Sequence, residues 1–226
     1  MTDSKPNPRD TKQRRQNRTL PSLKTTITLN TAFTQRVYNR VWDRLKGDIF
    51  ILTVRAHAAG LPEVAENAEK IINERFAEIR KDLDGDITRA DTLIQNLGIT
   101  ELGQYDGALE TDAEFTTPQA KVYLDLLLSM DQLIMRIDAM WLNAEIETKA
   151  CKDRSYEWQR RLIKAANRIR ELATHGRRTI DEAQAERTKA ASASTSASPA
   201  PAVEGANGAA QPVPATDAEE TAAATG

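Results

Sequence analysis

Leu23-Lys24-Thr25-Thr26-Ile27-Thr28-Leu29-Asn30 alternates in character along its length, and the reading of this stretch decides how the rest of the chain is arranged. On a strand, successive side chains point to opposite faces. Leu23, Ile27 and Leu29 therefore share one face with Thr25 between them, while Lys24, Thr26 and Thr28 share the other. One face looks inward, and the other is polar and cationic. A lone strand leaves its own backbone donors and acceptors unpaired, so this one needs a second strand. That partner is either its copy in another chain or the region near Phe115 of the same chain. A basic segment precedes the strand and an amphipathic helix follows it, an order that suits presentation to a phosphate-rich partner. The plainer reading is an ordinary half-buried strand.

The two ends of the 226-residue chain do not join a core. From Ala190 onward it is dominated by Ala, Ser, Thr, Pro and Gly, with four acids and no aromatic residue. Such a composition buries too little apolar surface to offset the entropy of ordering, so a disordered tail is expected. The first nineteen residues, with Lys5, Arg9, Lys12, Arg14, Arg15 and Arg18, read as a mobile basic arm. The single thiol, Cys151, excludes an intramolecular disulfide framework and suits a reducing compartment. No apolar run approaches the roughly 18 residues of a membrane span, and the N-terminus lacks the apolar centre of a signal peptide. A cytoplasmic protein with no membrane partner is expected.

A net charge of −2 hides a segregation. Residues 1–24 carry seven basic and two acidic side chains, residues 25–151 thirteen and twenty-one, and residues 152–189 eleven and six; four acids remain beyond. At physiological salt, charges act strongly within roughly 8 Å, so local basic regions attract nucleic acid despite the overall sign.

After the strand, Asn30 or Thr31 caps a helix with Phe33, Val37, Val41 and Leu45 on one side and Arg36, Arg40 and Arg44 on the other. The arginine ladder is a solvated face or a phosphate contact. Gly47 is expected to break this helix and Asp48 to cap another that reaches Gly60. A longer amphipathic helix follows from about Pro62 to Leu83. A turn at Asp84-Gly85-Asp86 then leads to a helix ending at Gly98. Residues 100–116 read as loop with a short strand near Ala108 to Phe115, whose acids Glu110, Asp112 and Glu114 would repel phosphate. Thr117-Pro118 starts a helix to about Leu142, because Thr caps and Pro fills the first turn at no cost in hydrogen bonds. Its Tyr123, Leu127, Ile134 and Trp141 follow helical spacing, and extra leucines widen the apolar face, marking the centre of the core or of a dimer interface. A final helix runs to about Thr174 with Trp158, Leu162, Ile169 and Leu172 beside Arg160, Arg161, Lys164, Arg168 and Arg170.

Catalytic and metal chemistry find no pattern. His57 and His175 are the only histidines and neither stands at ligand spacing from the other or from Cys151. There is no Gly-rich phosphate loop. Asp82, Asp84 and Asp86 imitate a calcium loop only superficially, since Gly85 is misplaced and Leu93 stands where the closing Glu belongs. Asp125, Asp131 and Asp138 on the long helix are better read as caps and ion-pair partners than as acid catalysts. No catalytic residue, metal or cofactor is expected, and the chain is not read as an enzyme.

Thr117-Pro118-Gln119-Ala120, Tyr123-Leu124, Met130-Asp131, Asp138, Met140-Trp141-Leu142 and Trp158 with Arg160-Arg161 form a spaced pattern. Together with Thr28-Leu29-Asn30-Thr31 and Gln35-Arg36, it resembles the AcaB-like family of transcriptional regulators of conjugative plasmids and integrating conjugative elements. The resemblance covers roughly residues 23–172. It implies a mainly α fold: a ribbon-helix-helix DNA-binding unit enlarged by long helices, with disordered N- and C-terminal tails. It also implies a bacterial homodimer that binds promoter or operator duplex and activates transfer genes, with RNA polymerase as a further partner. In that fold two N-terminal strands form a ribbon that enters the major groove.

On this reading Lys24, Thr26 and Thr28 are the base-reading candidates. Arg14, Arg15, Arg18, Arg36, Arg40 and Lys46 are phosphate candidates, with a helix start near Asp48 adding backbone amides against which the Asp48 charge works. Ile27, Leu29, Val37, Val41, Tyr123, Leu127, Ile134 and Trp141 are the core or dimer candidates. The expected organisation is a basic arm (1–22), a strand-helix-helix unit (23–60), a helical extension and dimerisation region (61–176), and a linker with disordered tail (177–226). The alternative, from another class, is a non-enzymatic helical component of a conjugation or DNA-processing complex that binds a protein through the Tyr123 to Trp141 face.

Overall fold

Strand β1 (Leu23–Leu29) leads into helix α1 (Ala32–Phe50), which continues through a π-helical segment (Ile51–Arg55) and a last α turn (Ala56–Ala58). Helix α2 (Pro62–Asn96), strand β2 (Leu109–Phe115), helix α3 (Pro118–Leu142) and helix α4 (Thr148–Thr195) follow. This computed structural model describes residues 21–195, with side chains to residue 190. The expected basic arm, with Arg14, Arg15 and Arg18, and the tail beyond residue 195 lie outside the described residues.

β1 pairs antiparallel with β2 of the same chain, Leu23 opposite Phe115 and Leu29 opposite Leu109. Of the two partners open to the strand, the region near Phe115 is the one it meets. Ile27, Leu29, Ala113 and Phe115 turn into the core, whereas Leu23 at the first rung is 67% exposed, so only the second half of β1 anchors the sheet. α3 lies at the centre, with Tyr123, Leu127, Met130 and Ile134 fully buried. Tyr123 stacks obliquely on Phe76 of α2 and donates its hydroxyl hydrogen bond to the Leu162 carbonyl of α4, 3.1 Å away. A phenol buried this deeply needs such a partner. Val37 and Val41 are buried as expected. Trp141 is not: it is 41% exposed, because it sits at the last turn of α3, where its indole N–H reaches Thr148.

Thr117 caps α3, accepting from the Ala120 amide, and Pro118 occupies its first turn, as the sequence predicts. Gly98, at φ +68°, closes α2 with the Ile99 amide returning to the Ile94 carbonyl.

Three predicted breaks are absent. Gly47 does not end α1: Leu45, Ile49 and Leu52 stay buried on either side of it, and that burial outweighs the roughly 1 kcal/mol helical cost of glycine. Asp48 caps nothing; it is buried and faces Arg177 of α4 at 2.6 Å. Residues 23–60 therefore hold one strand and one helical rod, and the order strand, helix, helix is complete only with α2. Nor does Asp84-Gly85-Asp86 turn the chain. Asp86 accepts the Trp158 indole N–H at 2.9 Å, and Asp82 receives Arg161, whose guanidinium also lies 4.4 Å over the Trp158 ring. Packing against α4 thus holds α2 straight through Gly85. α4 itself passes Thr174, so residues 177–195, expected to begin a linker, are helix. A Cβ on Gly176 would come within 2.9 Å of Leu52, and Ile180 is fully buried with Ala56, Ala59 and Ala65.

One carboxylate fastens the sheet to the helices. Asp131, on α3 and almost fully buried, accepts from the Asn30 amide (2.9 Å), the Asn30 side chain (2.9 Å), the Thr31 amide (2.9 Å) and the Thr31 hydroxyl (2.8 Å). Thr31 is the N-cap of α1 and accepts from Thr34 at 3.4 Å. A negative charge at this helix start is favoured by the helix dipole and by four donors converging on it. Gln35 reinforces the junction, donating to the Leu29 and Gly107 carbonyls.

Asp131→Ala leaves buried donors without partners and is expected to cost about 3 kcal/mol or more in denaturant unfolding. Asp125→Ala, which removes an exposed pair with Lys121 on the same helix, is expected to cost at most about 0.5 kcal/mol. Ile180→Ala is expected to cost about 2–4 kcal/mol; a neutral result would show that α4 beyond Thr174 is not part of the fold.

Candidate nucleic-acid interface

Lys24, Thr26 and Thr28 share the exposed face of the sheet, as their alternation requires. Antiparallel pairing sets Glu114 opposite Lys24, Asp112 opposite Thr26 and Glu110 opposite Thr28. The Thr26 hydroxyl donates to Asp112 at 2.8 Å. The outward face thus carries three carboxylates and one ammonium. Such a surface repels phosphate; it offers carboxylate acceptors and one ammonium donor, the group types that can match base-edge amino groups and guanine O6 and N7. Any attraction to a polyanion must come from elsewhere in the chain.

The described phosphate candidates divide into two groups. Lys46 is held by Asp43 at 2.8 Å, and no helix begins near Asp48 to offer amides beside it. Arg36 lies 5.9 Å over the Phe33 ring. Arg40 instead opens onto a groove between α1 and α4, formed by two adjoining cavities of about 670 and 100 Å³ that share Arg40 and Asn167. Arg160 and Lys164 line the larger cavity, Arg44 and Arg170 the smaller. Among the described residues none of these five cations has a carboxylate within ion-pair distance. Asp153 and Glu157 border the larger cavity near Tyr156, whose ring meets Phe33 edge-on at 5.0 Å.

The α4 cations are visible in the sequence as Arg160, Arg161, Lys164, Arg168 and Arg170 beside an apolar stripe, yet nothing there reveals which of them face α1. The structure separates them: Arg168 pairs with Glu171, while Arg160, Arg161, Lys164 and Arg170 line the groove, Arg161 with its guanidinium held by Asp82. Asp48 lines the smaller cavity; burial pushes its carboxyl above the usual carboxylate range, against the pull of Arg177, Arg170 and Arg44, and one of its oxygens has no hydrogen-bond partner. The other polar centres are structural. Asp138 accepts from Tyr105 at 2.8 Å and from the Cys151 thiol, which burial and the neighbouring Asp138 charge push up to about 11, far from a reactive thiolate. Among the described residues no group of three or more His, Cys, Asp or Glu side chains forms a metal site, and no helix is long and apolar enough to cross a membrane.

Because the folded state raises the Asp48 pKa, native protein binds this proton more readily than unfolded chain, so protonation favours folding. As pH falls from neutral toward the ordinary aspartate value, wild type is expected to gain stability relative to Asp48→Asn. Parallel unfolding curves for the two proteins across that range would contradict the assignment.

The fold is similar to that of AcaB from uropathogenic E. coli, in a selenomethionine-containing crystal structure: the TM-score is 0.69 at 27% identity, covering 73% of this chain and 85% of that one. No protein-family model and no curated protein matches the chain.

Proposed function

We propose that this chain is a member of the AcaB-like family and acts as a homodimeric, sequence-specific DNA-binding regulator that activates conjugative transfer genes in the bacterial cytoplasm, working with RNA polymerase. The observation that carries the reading is a coincidence of two independent likenesses. The spaced residue pattern resembles AcaB-like regulators, and the fold, at 27% identity over most of both chains, is similar to AcaB. The residues of that pattern also meet in space, Asn30 and Thr31 with Asp131.

β1 has β2 on one side and no further strand on the other among the described residues. That free edge is where a second copy would add, joining two ribbons across a two-fold axis. The outward Lys24, Thr26 and Thr28 then read base edges in the major groove, with acids of β2 beside them as additional acceptors. The alternative, a helical component that binds a protein through the Tyr123 to Trp141 face, finds less support, because Tyr123, Leu127 and Ile134 are fully buried and Trp141 alone of these four is exposed.

Titration of promoter fragments from the genes beside this one is expected to give affinity about 10³-fold or more above scrambled duplex at physiological salt. Lys24→Ala/Thr26→Ala/Thr28→Ala is expected to reduce that ratio by at least tenfold without changing the salt dependence. Equal affinity of wild type for promoter and scrambled duplex contradicts a sequence-specific reader.

A further inference from the structure

The outward ribbon face, with three acids to one lysine, does not supply the electrostatic term that holds a protein on DNA. The α1–α4 groove has the opposite balance: Arg40, Arg44, Arg160, Arg161, Lys164 and Arg170 line it against three carboxylates, Asp153, Glu157 and the Asp48 that Arg177 engages. Arg40 and Arg44 stand one turn apart on α1, and Arg160, Lys164 and Arg170 span ten residues of α4, about 15 Å of helix. That length matches about four nucleotides of one strand at 3.4 Å each. All five are exposed, and Asn167 between them adds an uncharged donor. Arg161, next to Arg160, and Arg177, beyond Arg170, are engaged with Asp82 and Asp48.

We propose that the groove between α1 and α4 is a phosphate track that holds the sugar-phosphate backbone of duplex DNA, apart from the ribbon that reads bases; this rests on the DNA-binding reading above. The groove supplies affinity that is independent of sequence, and the ribbon supplies discrimination. An acidic protein segment is the competing occupant. The extended double row of four arginines, whose planar forks suit phosphate, and one lysine, together with the lack of attraction at the ribbon, favour nucleic acid.

The test uses the full chain, a random-sequence duplex of about 30 base pairs, and affinity measured over a range of KCl concentrations. Arg160→Glu/Lys164→Glu/Arg170→Glu is expected to weaken binding at least 100-fold at about 0.1 M salt, and to lower the slope of log affinity against log salt by about three. The milder Arg160→Gln/Lys164→Gln/Arg170→Gln, with circular dichroism and melting matched to wild type, should show the same slope change. An unchanged slope in the folded Gln variant overturns the phosphate track even if wild type binds duplex. Unchanged duplex binding with loss of polyglutamate binding also overturns it, assigning the groove to an acidic protein partner. Wild type that binds neither promoter nor random duplex overturns the DNA-binding reading itself, and the track with it.

Discussion

The buried Asp131 carboxylate is the constraint on which the arrangement depends. Its two oxygens collect four donors from Asn30 and Thr31, at the corner where β1 ends and α1 begins. A charge so deeply buried is tolerable only with this many hydrogen bonds, and each donor it satisfies would otherwise be stranded in the interior. The carboxylate therefore couples the strand and the first helix, adjacent in the chain, to the central helix a hundred residues on. It fixes the direction in which β1 leaves the core and with it the face that Lys24, Thr26 and Thr28 present.

That fixed direction has an electrostatic consequence. β2 completes the ladder, but it brings Glu110, Asp112 and Glu114 alongside the polar face of β1. A ribbon so decorated is suited to discriminate among hydrogen-bonding edges and unsuited to attract a polyanion. Five cations without an ion pair among the described residues, Arg40, Arg44, Arg160, Lys164 and Arg170, instead line the groove between α1 and α4. On α4 this stretch is seated by Leu162, Ala165, Ala166 and Ile169, buried in the same core cluster as Val41 and Leu45 of α1, and past Thr174 the helix goes on to seat Gly176 on Leu52 and Ile180 among alanines. The extension also places Arg177 against Asp48, while Arg170, before it, lines the smaller cavity with Arg44.

Much of this was legible in the sequence wherever local chemistry and packing agreed. Alternation broken only at Thr25 marks β1, Thr117-Pro118 the start of α3, and Gly98 the end of α2, since each signal is satisfied by its own neighbours. Gly47 and Gly85 misled for the opposite reason. Both lie within helices whose flanking apolar residues are buried, so tertiary contacts override a penalty of about 1 kcal/mol. The extent of α4 was hidden because Ile180 is a lone large apolar residue in a polar stretch, and its cover comes from Ala56, Ala59 and Ala65, remote in sequence. The site candidates divided likewise. The shared face of Lys24, Thr26 and Thr28 follows from period two alone, while the acids opposite them and the meeting of Arg40 with Arg160 depend on register and helix packing, which one sequence does not display.

Native-state hydrogen exchange at the Asn30 and Thr31 amides tests the central claim most directly, because both hydrogens are held by Asp131. If this carboxylate anchors strand to helices, the two amides exchange only through openings that approach global unfolding, as slowly as amides in the middle of α3. Exchange near the rate of an unstructured peptide, with α3 still protected, would contradict the account.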